Sequence, residues 1–213
     1  MHKIVLSLCL VLALSAAADD FNDRLEAANE LLKSGATAKA LEAYRDLQVD
    51  RPESDILQYS IGCAQYMDAM ADLALEARED AATAFNEATD SFEKVQTSAN
   101  ADVRCNAGYN RANALAQTAK LSLPAEGYSP QTVNQQDYEK ATKAFESAID
   151  AYEDFLRLYP DHEQARQNLA HMRYYLKNML QNPPPEPPKQ DQQQQEKSDE
   201  QQQNQDQQQQ DQQ

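Results

Sequence analysis

The sequence predicts an all-α chain built as an array of helical hairpins, and three observations carry that prediction. Between Asp19 and about Gln181 the chain is rich in Ala, Leu, Glu, Gln and Lys, residues that lose little on entering a helix. Strand signals are nearly absent, because β-branched residues are scattered and no apolar–polar alternation is sustained. Small and aromatic residues also recur at a fixed spacing, which marks an internal repeat. The chain accordingly divides into three parts: 1–18 a signal peptide, 19–181 the helical domain and 182–213 a Pro/Gln-rich tail.

The N-terminus reads as an address. Met1-His2-Lys3 is a short basic head and Ile4 to Leu14 an apolar run. Ser15-Ala16-Ala17-Ala18 then places small residues before a cut after Ala18. The run is shorter than the roughly 20 residues that a bilayer span needs, which leaves an uncleaved anchor as the alternative reading. Leu8 is bulky where a lipoprotein signal ending at Cys9 wants a small residue, and no later segment is apolar enough for a membrane helix. Two cysteines follow the signal, Cys63 and Cys105, neither in a C-x-x-C motif. They are expected to be buried free thiols acting as small apolar side chains.

With Phe21 as position one of a unit of about 34 residues, Ala28 falls at position 8, Gly35 at 15, Ala40 at 20, Tyr44 at 24 and Pro52 at 32. The spacing resembles a tetratricopeptide (TPR) repeat, a helix–turn–helix unit. That resemblance implies small residues where the two helices approach and an aromatic between neighbouring units. A second unit begins near Asp55 with Ile61-Gly62 and Tyr66, and its second helix carries Ala88, Phe92 and Val95 after extra residues. Nothing between Met67 and Ala84 breaks a helix, so both helices of this unit are expected to be lengthened. A third unit contains Tyr109-Asn110-Arg111-Ala112-Asn113-Ala114, similar to the Y-N-L-G-N-A of TPR first helices, with Arg111 departing from the apolar pattern.

The stretch between Lys120 and Gln136 holds Pro124, Gly127 and Pro130 and reads as a structureless loop. Ala141, Phe145 and Ala148 then mark a second helix, and the same pattern re-reads seven residues on as Ala148, Tyr152 and Phe155. This helix is therefore expected to be about two turns too long. After Pro160, Asn168-Leu169-Ala170 restarts a first helix that would cap the array through Leu180. Three repeats plus a cap are about the least that buries a continuous core. A coiled coil is the alternative, but heptads are not sustained and Gly/Pro punctuation recurs.

No Ala, Val, Ile, Leu, Met, Phe, Trp, Tyr or Cys follows Leu180. Asn182 to Pro188 is a proline spacer, and Lys189 to Gln213 contains 15 glutamines among scattered charges, so the tail is expected to be disordered. It reads as a tether.

Composition excludes several functions. Glycine occurs only at 35, 62, 108 and 127, so no G-x-G-x-x-G or Walker loop can be written. Thirty-five acidic residues against 19 basic ones give a net charge of −16, which opposes nucleic-acid binding. His2, His162 and His171 form no H-E-x-x-H, and two mature cysteines cannot build a Cys/His metal set. The chain is expected to be no enzyme, with no cofactor, no metal and no small-molecule substrate.

Binding is better supported. First helices of TPR arrays line a concave groove, and the resemblance places Asn29, Tyr59, Cys63, Tyr66, Asn106, Asn110, Asn113, Asn168, His171 and Tyr174 on that face. Asparagine amides pair with donors and acceptors of an extended backbone, and tyrosine adds apolar area with a polar tip. Positions that hold Lys or Arg in chaperone-binding TPRs are here Leu25, Glu26, Tyr59 and Ser60, so that specialised binding is not expected.

Signal, repeat array, Y-N-x-A-N-A, capping helix and glutamine-rich tail together resemble the TPR component of bacterial aerotolerance (Bat) operons. The resemblance implies an exported periplasmic or cell-envelope scaffold whose protein partners are membrane-anchored von Willebrand factor A-domain proteins. Ala148-x-x-x-Tyr152-x-x-Phe155-Leu156-x-x-Tyr159-Pro160 also resembles exported TPR proteins of envelope assembly. A structural or assembly protein of the envelope, self-associating or wall-bound, is the second reading.

Overall fold

A computed structural model describes residues 20–185. The expected signal at 1–18 and the tail from residue 186 onward lie outside the described residues. Seven helices make up what is described: α1 (residues 20–33), α2 (Thr37–Asp50), α3 (Asp55–Ala74), α4 (Arg78–Glu93), α5 (Ala101–Leu121), α6 (Gln135–Leu158) and α7 (Glu163–Gln181). No strand occurs among these residues.

The helices pack in chain order, each from α2 onward against the next. In addition α3 approaches α5 and α5 approaches α7, whereas the backbones of α2, α4 and α6 do not come close to one another. Odd helices therefore form one continuous layer and even helices a second layer behind it. The arrangement is compatible with a helical repeat array, in which each unit is stabilised by its neighbours.

Three apolar clusters follow one another along the array. Phe21, Ala28, Ala40, Tyr44 and Leu47 join α1 to α2 and reach Leu57 and Ile61 of α3. Phe85, Ala88, Phe92 and Val95 pack with Ala69, Val103, Ala107 and Ala114. Phe145, Ala148, Tyr152 and Phe155 pack with Ala112, Ala116, Leu169 and Met172. Alanine and glycine let the backbones approach: a Cβ on Gly62 would stand 2.7 Å from Cε1 of Phe92. The lengthened pattern read in α6 is present in α4 as well. Ala81, Phe85, Ala88, Phe92 and Val95 are all buried, as are Ala141, Phe145, Ala148, Tyr152 and Phe155.

The α3–α4 turn corrects the sequence reading. A break does fall between Met67 and Ala84, at Leu75–Ala77, and it contains neither glycine nor proline. Its geometry repeats the α1–α2 turn. Gly35 N–H bonds to the Leu32 carbonyl and Ala36 N–H to that of Leu31, and likewise Glu76 to Leu73 and Ala77 to Asp72. This is the Schellman ending, which wants a left-handed residue. Gly35 supplies it at φ 80°, and Glu76 supplies it at φ 60°. Since the turn leads straight into the next helix, α2 and α4 start without a side-chain cap. By contrast Ser54, Asn100, Asn134 and His162 cap α3, α5, α6 and α7 through their side chains.

The 122–134 segment is a loop, as expected, and it is anchored to the array. Leu123 and Val133 are buried. The Arg78 guanidinium donates to the carbonyls of Leu121 (3.2 Å) and Leu123 (2.6 Å). Tyr128 donates its hydroxyl to the Asn182 carbonyl, which ties this segment to the end of α7. Both cysteines are free thiols, but they are half-buried rather than buried as expected.

Candidate functional site

Tyrosine hydroxyls and side-chain amides bridge the helices of the odd layer. Between α3 and α5, Asn110 Nδ2 donates to the Tyr59 hydroxyl at 3.1 Å, and one heptad further Gln117 Nε2 donates to Tyr66 at 3.5 Å. Between α5 and α7, Asn168 Nδ2 donates to Asn113 Oδ1 (3.0 Å) and to the Tyr109 hydroxyl (3.4 Å). The Tyr152 hydroxyl comes through from α6 and donates to the same Asn113 oxygen at 2.6 Å. An equivalent bond joins Tyr44 of α2 to Asn29 Oδ1 of α1 at 2.7 Å. Asn29 and Asn113 each follow a buried alanine, and each receives a tyrosine from the second helix of its own hairpin.

Three of these phenols, Tyr44, Tyr59 and Tyr152, are held neutral by their surroundings. Burial pushes Tyr44 up to about 12. Burial raises Tyr59 and Tyr152 as well, since a phenolate would lose water that the apolar packing does not replace. The Cys63 thiol is raised chiefly by burial too, against its contacts with Tyr59 and Asn110, so it is not poised as a thiolate nucleophile.

The bridges frame a cleft of about 500 Å³ between the middle of α3, the second half of α5 and the middle of α7. Tyr66, Tyr109, Asn113, Ala116, Gln117, Lys120, Tyr152, Asn168, His171, Met172 and Tyr175 line it. Packing fixes the walls: Tyr66 meets Phe85 edge-on at 5.1 Å, and Tyr109 lies 4.4 Å from the ring of His162. No carboxylate is among the lining residues. Chemically the cleft offers hydrogen bonds, aromatic walls and two basic side chains.

Of the residues expected on the binding face, the structure brings Tyr66, Asn113, Asn168 and His171 together in this cleft. Tyr59, Cys63 and Asn110 form the adjoining α3–α5 bridge. Asn29 is engaged with Tyr44 in the first hairpin and does not line the cleft. Asn106 is exposed on α5 and Tyr174 is 69% exposed on α7, and neither lines it. Sequence reasoning missed Tyr109, Ala116, Gln117, Lys120, Tyr152, Met172 and Tyr175. Gln117 and Lys120 were findable, because each lies one heptad beyond an asparagine already placed on that face (Asn110 and Asn113). Tyr152 was not, since it belongs to a second helix and enters from behind.

Among the described residues no cluster of three His, Cys, Asp or Glu side chains is placed to hold a metal ion. No described helix is long and apolar enough to cross a membrane. No protein-family model matches the chain, and no curated protein matches it.

Proposed function

We propose that this chain is a non-enzymatic adaptor of the tetratricopeptide type, exported to the bacterial cell envelope, which holds an extended segment of a partner protein against its odd-numbered helices. The observation that carries the reading is the amide–tyrosine network across α3, α5 and α7, opening on a cleft without carboxylates in a chain of net charge −16. Such a surface suits a polypeptide backbone, which presents donors and acceptors in alternation and little charge. The von Willebrand factor A-domain proteins implied by the Bat resemblance are the proposed partners, and the tail is a tether.

In-cell crosslinking of the tagged full chain in its own host, followed by mass spectrometry, tests this reading. The variant to compare carries Asn106→Ala with His171→Ala. Both residues are exposed, whereas Asn110 and Asn113 hold the fold together. The native chain is expected to recover a von Willebrand-domain membrane protein and the variant to lose most of it. Recovery of only the chain itself or of wall fragments would overturn the adaptor and leave a structural envelope protein.

A further inference from the structure

We propose that the cleft anchors one acidic side chain, an aspartate or glutamate within the extended segment of the partner, through Lys120 and His171. The inference rests on the reading of the odd-helix layer as a peptide-binding face, and it names what that face selects.

Two observations carry it. The first is charge: acids outnumber bases 35 to 19 in the chain, yet the cleft walls contain none, and its two basic side chains stand on facing helices, Lys120 on α5 and His171 on α7. Lys120 has no ion-pair partner among the described residues.

The second observation is the direction of the hydrogen bonds. Tyr66 and Tyr109 already accept from Gln117 and Asn168, so their own O–H groups remain to be donated. Asn113 Oδ1 accepts from both Tyr152 and Asn168, which leaves its Nδ2 to donate. With Lys120 and His171 added, the unused capacity of the cleft is mostly donors. The unused amide acceptors are Gln117 Oε1 and Asn168 Oδ1. A carboxylate accepts only, at two oxygens, and is the side chain that fits this surplus. A lysine or arginine in its place would meet the charge of Lys120.

The test is fluorescence anisotropy of the full chain with labelled, end-capped peptides of alternating Glu-Ala, Gln-Ala and Lys-Ala, so that no terminal carboxylate competes. Glu-Ala is expected to bind about tenfold tighter than Gln-Ala, a preference that weakens with salt. Lys120→Gln combined with His171→Asn is expected to abolish the preference, so that Glu-Ala and Gln-Ala bind alike, while leaving the thermal melt unchanged. Equal binding of Glu-Ala and Gln-Ala would overturn the anchor and leave the peptide-binding reading standing. Absence of binding by all three would overturn both. A preference that survives the double substitution would place the anchor outside the cleft and sink the assignment. Tenfold tighter binding by a chain ending at Pro185 would mean that the tail's own acids occupy the cleft, and would overturn its assignment to a partner.

Discussion

Asn29 and Asn113 each accept a hydrogen bond at Oδ1 from a buried tyrosine hydroxyl. Their amides therefore fasten one helix of a hairpin to the other, and at Asn113, whose oxygen also accepts from Asn168, only the N–H groups remain for anything outside. Gly62 and Gly108 show how tightly such fastening packs. A Cβ on Gly62 would lie 2.7 and 2.9 Å from two carbons of the Phe92 ring, which is wholly buried. Overpacking of that kind costs about 1–3 kcal/mol, against up to about 1 kcal/mol gained from removing a helical glycine. Gly62→Ala is expected to destabilise by about 1 kcal/mol net in urea unfolding. At Gly108 the nearest carbon of Phe155 is 3.1 Å away, and both residues border a small cleft of about 90 Å³ into which the ring can shift. Gly108→Ala is expected to be neutral or stabilising in the same measurement.

At the scale of elements, the α3–α4 turn is under strain that its counterpart avoids. Glu76 occupies the left-handed position at φ 60° that Gly35 fills in the α1–α2 turn, and it is exposed there. A residue with a Cβ pays about 1 kcal/mol for that conformation. Glu76→Gly is expected to raise the thermal midpoint slightly, the gain being reduced by the greater freedom of glycine in the unfolded chain. A fall in the midpoint would show that Glu76 makes a contact worth more than the strain. This turn also marks where the sequence stopped being legible. Helical composition and the Ala28–Ala40–Tyr44 register could be read because packing demands small and aromatic residues at those places. The α3–α4 break could not, since a Schellman ending leaves no mark when its left-handed residue is glutamate. The anchoring of the 122–134 segment was equally hidden, because it depends on Arg78, more than forty residues away in the chain. The candidate cleft was half legible for the same reason: one helix face can be read by period, but a tyrosine entering from the helix behind cannot.

For the whole molecule, the buried phenols set a pH limit. Tyr44, Tyr59 and Tyr152 sit in different hairpins and are all raised by burial, Tyr44 to about 12. Below about pH 10 a phenol is protonated in folded and unfolded chains alike, so this difference costs nothing. Above it the unfolded chain loses its phenol protons while the folded chain keeps them, and linkage then lowers stability as pH rises. Urea unfolding is expected to show constant stability from these groups up to about pH 10 and a decline from there towards pH 12. A Tyr44→Phe, Tyr152→Phe chain should start less stable and decline less steeply. An unchanged slope would mean that these phenols ionise in the folded chain as they do in water.

The two layers differ in one respect that bears on mechanics. The backbones of α2, α4 and α6 do not come close to one another, whereas α3, α5 and α7 are joined directly and by side-chain bonds. Spreading the even helices apart must pull α4 from the apolar core it shares with α5, and spreading the odd helices must also stretch every bridge. The side-chain bridges are thus ties along one side of the array, added to the apolar packing that holds the two layers together.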